Sequence, residues 1–90
     1  MITFTNHAKA KLLKELKKLG ITKPIIAKTL KNPDELLYDA LRGRYVATNN
    51  THNTAIIYEK TDDNLTVITI IYSSELTDMV NRRKRTGRWI

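Results

Sequence analysis

Ninety residues suffice for one domain with a modest core, and the absence of cysteine excludes a disulfide framework, a thiolate nucleophile and any cysteine-based zinc or iron–sulfur site. The net charge of +7 is sorted by position: residues 1 to 31 carry eight lysines against Glu15 alone, residues 32 to 81 three basic against eight acidic residues, and residues 82 to 90 five basic residues and no acid. If the two basic ends meet on one side of the fold, their field suits a polyanion, above all nucleic acid. The competing reading is that the lysines solubilise an exposed helix and the arginines form a loose tail. No apolar run approaches the roughly 18 residues of a membrane span, and no signal-peptide core is present, so a cytoplasmic protein without a membrane partner is expected.

The chain opens with the strand-like Ile2-Thr3-Phe4-Thr5. From Asn6 to Leu19 the apolar positions Ala8, Leu12, Leu16 and Leu19 follow helical spacing, and Leu13 widens the stripe. Thr5 or Asn6 can cap this helix and Gly20 ends it. On its other side His7, Lys11, Lys14 and Lys18 are spaced to form one polar ridge headed by the histidine. Thr22 is placed to cap a second helix, which Asn32-Pro33 stops.

The period then changes. Residues 35 to 41, 44 to 48, 54 to 60 and 65 to 72 read as strands separated by short polar turns, predicting an antiparallel meander. Val67 to Ile71 is apolar on both faces, which predicts an interior strand with helix on at least one side. Ser73 or Ser74 can cap a short last helix with Leu76, Met79 and Val80 facing the core and Asn81 to Lys84 as its basic continuation. Arginines there also complement the helix dipole, an ordinary structural reason for part of the cluster.

Among groups with chemistry, His7 stands out because the first turn of a helix favours the neutral, proton-accepting imidazole. Beside lysines it is placed to take a proton from a ribose hydroxyl while they hold the phosphate, although packing or capping the first turn would equally account for it. His52 has no acidic or histidine companion at ligand spacing and reads as a turn residue. Asp62 and Asp63 are adjacent in a turn, a poor arrangement for opposed carboxylates, and the three glycines are isolated, so neither a hydrolytic metal site nor a phosphate loop is supported. Tyr72, at the end of the interior strand, can donate to phosphate or stack a base, whereas Tyr38, Tyr45 and Tyr58 read as packing residues. Arg42 and Arg44 flank a hairpin turn in an acidic segment and are candidates for ligand contact. Trp89 can stack on RNA or pin the C-terminal segment to the body.

Taken together, the order of strand, two helices, meander and basic C-terminal segment resembles RelE-like toxins and the wider barnase–EndoU–RelE-like ribonuclease fold. The local pattern is closer to the domain-of-unknown-function 4258 family: His7-Ala8 opening a helix, Lys11 four residues on, Gly20-Ile21-Thr22, Leu30 to Asp34 as Leu-Lys-Asn-Pro-Asp, Ile56-Ile57-Tyr58 and Val67 to Tyr72. The resemblance implies a metal-independent endoribonuclease, in some members a toxin neutralised by an antitoxin partner. Family members commonly carry arginine where this chain has Lys11, which keeps the charge and loses the bidentate fork.

The expectation is therefore an α+β domain spanning residues 1 to 90: two N-terminal helices on one face of a four-stranded antiparallel meander, with residues 2 to 5 as an extension and a short basic C-terminal helix. RNA would be cleaved with His7 as general base or acid, Tyr72 orienting the nucleotide and Arg83 stabilising transition-state charge. Lys11, Lys14, Lys18, Arg42, Arg44, Arg82, Lys84 and Arg85 would contact phosphate, with no metal and no cofactor. The alternatives are a non-catalytic RNA- or DNA-binding protein and a small protein whose basic surface docks an acidic partner.

Overall fold

The computed structural model describes residues 1 to 90. The first strand, β1 (Ile2–Phe4), is short because Thr5 leaves the sheet to cap a helix: its side chain accepts the Ala8 N–H at 3.1 Å. That helix, α1 (Asn6–Lys11), does not continue regularly to Leu19. Over Leu12–Leu16 the turn widens to π geometry, with the Lys17 N–H donating to Leu12 O, five residues back, before a tight 3₁₀ turn at Lys17–Leu19. Gly20, at φ +76°, ends the segment in the left-handed region. The widened turn keeps both Leu12 and Leu16 in the core but turns Leu13 outward, 73% exposed, so Leu13 does not extend the buried stripe.

Next comes α2 (Lys23–Lys31), entered through an extended Thr22 that makes no side-chain cap, with Pro24 in the first turn. Pro33 disfavours helical geometry at Asn32, and the helix stops there. Four strands follow: β2 (Glu35–Asp39), β3 (Arg44–Asn49), β4 (Thr54–Thr61) and β5 (Asn64–Tyr72). The first hairpin turns through Gly43 at φ +69°, with the Asp39 carboxylate accepting the N–H groups of Leu41 and Arg42, each at 3.0 Å. This Asp-led turn ends β2 two residues earlier than its hydrophobic pattern predicts.

The strand order is β1-β5-β4-β3-β2, antiparallel except that β1 runs parallel to β5. The predicted antiparallel meander is present as β2 to β5, and β1 adds a fifth strand in parallel, so the sheet is five-stranded and mixed rather than four-stranded and antiparallel throughout. The two apolar faces of β5 are covered by the helices, while β1 pairs the backbone groups on the edge of β5 that β4 leaves free. A register irregularity at Ile57/Tyr58 pairs Ile57 with Thr69 but Tyr58 with Val67, leaving Ile68 as the extra residue. Val67 and Ile70 consequently join one core, while Ile71 packs against the other.

Helices cover both faces. Ala8, Leu12, Leu16, Ile21 and Ile26 pack on Ala47, Ile56, Val67 and Ile70 to form the first core. On the opposite face α3 (Leu76–Arg85) brings Leu76 and Val80 against Leu37, Val46 and Ala55, joined by Trp89. The expected Ser73 or Ser74 cap does not form: Glu75 stands at the N-cap without a side-chain bond, and Ser73 accepts the Glu75 N–H at 3.1 Å in the turn before the helix. Beyond α3 the chain returns to the outer edge of β2, where Tyr38 and Ile90 exchange backbone hydrogen bonds and Ala40 N–H donates to Arg88 O. Trp89 is 2% exposed and forms an isolated bridge with Asp39, so the C-terminal segment is pinned to the sheet rather than a loose tail. No helix is long and apolar enough to cross a membrane.

Candidate nucleic-acid interface

The site follows from how β5 closes its edge where β1 stops. Thr5 N–H donates to Val67 O at 3.0 Å and the Thr5 hydroxyl to Ile68 O at 2.8 Å. One turn further, Lys11 Nζ donates to Ile70 O at 2.8 Å. Side chains of α1 thus continue the ladder that β1 begins, and His7, between them, places Nε2 3.1 Å from Thr69 Oγ1. Thr69 pairs with Ile57 and lies in alternation with Ile71, both of which pack at the margin of the α3 core, so His7 meets the sheet on its α3 side.

Lys11 is therefore occupied by a backbone carbonyl and half-buried, and the predicted ridge of His7, Lys11, Lys14 and Lys18 does not form. The π turn breaks the angular spacing on which that ridge depends. Lys14 and Lys18 are exposed on the layer that covers the first core, across the sheet from α3. Tyr72 alternates with Ile70 and so projects on the α1–α2 side, 42% exposed, on the opposite face from Arg83.

The cations that share the α3 side are Arg44, Arg82, Arg83, Lys84, Arg85 and Arg88. Arg44 precedes the buried Val46 by two residues and is half-exposed. Arg83 lies over the Trp89 ring, 5.4 Å from guanidinium carbon to ring centroid, which holds it against the body. Together with Met79, Arg82, Thr86 and Arg88 it lines an open groove along α3. Lys84 pairs with Glu35, whereas Arg82 and Arg85 are exposed beside Asp78 and Glu75. Arg42 is exposed in the β2–β3 turn, its N–H tied to Asp39. The two basic ends of the sequence thus cover opposite faces of one sheet, because α3 crosses to the side that α1 and α2 leave open.

Two residues that sequence reasoning missed organise this face. Thr69 orients His7, and alternation along β5 is the signal that could have found it. Asp39, 2% exposed, accepts the N–H groups of Leu41 and Arg42 and the Trp89 indole N–H at 3.4 Å, and forms an ion pair with Arg88, whose Nε lies 3.5 Å from the carboxylate. Burial alone would raise its pKa, but these N–H donors and the Arg88 charge outweigh it and hold the carboxyl below its ordinary 3.8. No local pattern announces that residue 39 meets residue 89. On the other face Tyr38, Tyr45 and Tyr58 form a cross-strand ladder with centroid separations of 5.3 and 5.6 Å, and burial together with Tyr45 pushes the Tyr58 hydroxyl up.

His52 lies in the β3–β4 turn, where its N–H donates to the Asn49 side chain at 3.1 Å. No three His, Asp or Glu side chains converge in a way that could hold a metal ion. Comparison with protein-family models, curated proteins and solved structures found no match to this chain.

Proposed function

We propose that the protein is a metal-independent endoribonuclease of RelE-like type, with RNA lying on the α3 side of the sheet. The observation that carries this reading is the His7–Thr69 contact: it fixes the imidazole at the edge of the sheet face whose far side carries Arg44, Arg83 and Arg88. With Nε2 held by Thr69, Nδ1 is left to take the proton of a 2′-hydroxyl at the β5 edge, while Arg83, across the sheet beside Trp89 at the β2 edge, is too far to touch the same phosphate and would hold the RNA backbone further along. Lys11, Lys14, Lys18 and Tyr72 have no part in this arrangement. The antitoxin partner implied by the resemblance belongs to the same proposal.

A second reading, an RNA-binding protein without cleavage, is favoured by one specific fact: the group bonded to His7 is a threonine hydroxyl, and no carboxylate stands behind the imidazole as the third member of a catalytic relay. Incubation with mixed RNA in chelator, followed by end-group analysis, separates the two. Cleavage leaving 2′,3′-cyclic ends, abolished by 2′-deoxy substitution, supports the nuclease. Tight binding without any cleavage, with ribosomes and candidate partners supplied, leaves the binding protein.

A further inference from the structure

Beside the widened turn of the first helix lies a groove of about 340 Å³, between α1 and the start of α2. Its floor is apolar: Leu12 and Ile21 are buried beneath it, and Leu13 stands exposed at its flank. Its rim is cationic, made by Lys9, Lys17 and Lys23, and no acidic side chain lines it. Lys23 is steadied over the Phe4 ring at 5.4 Å, so part of that rim is held in place. The π turn at Leu12–Leu16 lies directly beside the groove, and single π turns within helices are frequently found at functional sites.

We propose that this groove docks an acidic amphipathic helix of a partner protein, on a surface separate from the RNA-facing side and independent of whether RNA is cleaved. Leucine-type side chains at i, i+3 or i+4 and i+7 of such a helix would enter the floor, and flanking carboxylates would meet the three lysines. Charge complementarity selects this occupant. RNA would bring phosphates that an apolar floor does not solvate, and the groove offers no aromatic ring for a base. A lipid surface is met by a convex apolar stripe, whereas this feature is concave.

The test uses the full chain and a synthetic acidic peptide of about four helical turns, with leucines on one face and glutamates elsewhere. A peptide of identical composition with its leucines spread around the helix serves as control. Backbone amide shifts read the location of binding. Saturable shifts confined to Lys9–Leu13 and Ile21–Lys23 are expected with the patterned peptide. Leu13→Glu, at an exposed position, should weaken binding by about tenfold or more, as should the Lys9→Glu/Lys17→Glu pair, with thermal unfolding and RNA binding unchanged. The proposal is overturned if the control peptide binds equally well, if the shifts lie elsewhere, or if no saturable binding is found. Competition by oligouridylate or by phosphatidylglycerol vesicles, unaffected by Leu13→Glu, would assign the groove to RNA or lipid instead.

Discussion

Asp39 ties the end of the chain to the sheet, and its ionisation governs that tie. Because its folded pKa lies below the ordinary 3.8, the stability it contributes is complete above that value and is lost as pH falls through the lowered folded value. Trp89 is the chain's single tryptophan and bonds to Asp39, so its emission reports the event directly. Acid titration should shift that emission to the red below about pH 4, and Asp39→Asn should cost about 1 to 3 kcal/mol at pH 7 while flattening the acid limb. An identical acid limb in the variant would place the titrating group elsewhere. At the other edge, His7→Ala should slow RNA cleavage by roughly 10² to 10⁴ with affinity nearly unchanged. Thr69→Val should produce a smaller loss of the same kind, since it removes orientation rather than the proton acceptor. Equal rates in wild type and His7→Ala would end the role assigned to this histidine.

The first helical segment illustrates what a periodic pattern does and does not carry. Leu12 and Leu16 are buried as their spacing predicts, and Leu16→Ala should cost roughly 2 to 5 kcal/mol through lost burial and the cavity left behind. Leu13→Ala should be nearly neutral, which chemical denaturation of the two variants can check. Hydrophobicity alone placed Leu13 in the stripe, because a π turn has no sequence signature and arises from how the segment settles on the sheet. Lys11 is a related case. Its charge was legible, but its destination at Ile70 O depends on β1 stopping at Phe4 and exposing the upper edge of β5. Lys11→Ala should therefore cost about 1 kcal/mol and speed amide exchange in the upper half of β5, with RNA affinity little altered. A large fall in affinity instead would return Lys11 to the phosphate-binding set. The strands and the Thr5 cap, by contrast, are readable because Thr5, Pro33 and the Asp62-Asp63-Asn64 turn act within a few residues of themselves, whereas the caps expected of Thr22 and of Ser73 or Ser74 do not form. Parallel pairing of β1 with β5 and the meeting of Asp39 with Trp89 are non-local, and no local pattern encodes them.

Across the whole molecule, charge is divided between two faces rather than gathered on one. Binding of single-stranded RNA should weaken with salt at a log–log slope of about −0.7 per phosphate neutralised. Converting Arg82, Arg83 and Arg85 to alanine should flatten that slope, whereas converting Lys14, Lys18 and Lys28 should leave it nearly intact. Substitution is the appropriate probe here, because deleting the segment would also remove the buried Trp89. Equal flattening by both triple variants would mean that the polyanion wraps around the sheet edges and touches both layers.

The parallel pairing of β1 with β5 also sets a schedule for the nascent chain. Thr3 meets Thr66 across 63 residues, so at roughly 5 to 20 residues per second the ribosome needs about 3 to 13 seconds to supply the strand on which the first helices rest. During that interval Leu12, Leu16, Ile21 and Ile26 have no sheet to cover them. Eight lysines against one glutamate in the same 31 residues give this waiting segment a net charge of +7, whose self-repulsion opposes its association with other copies before the sheet arrives.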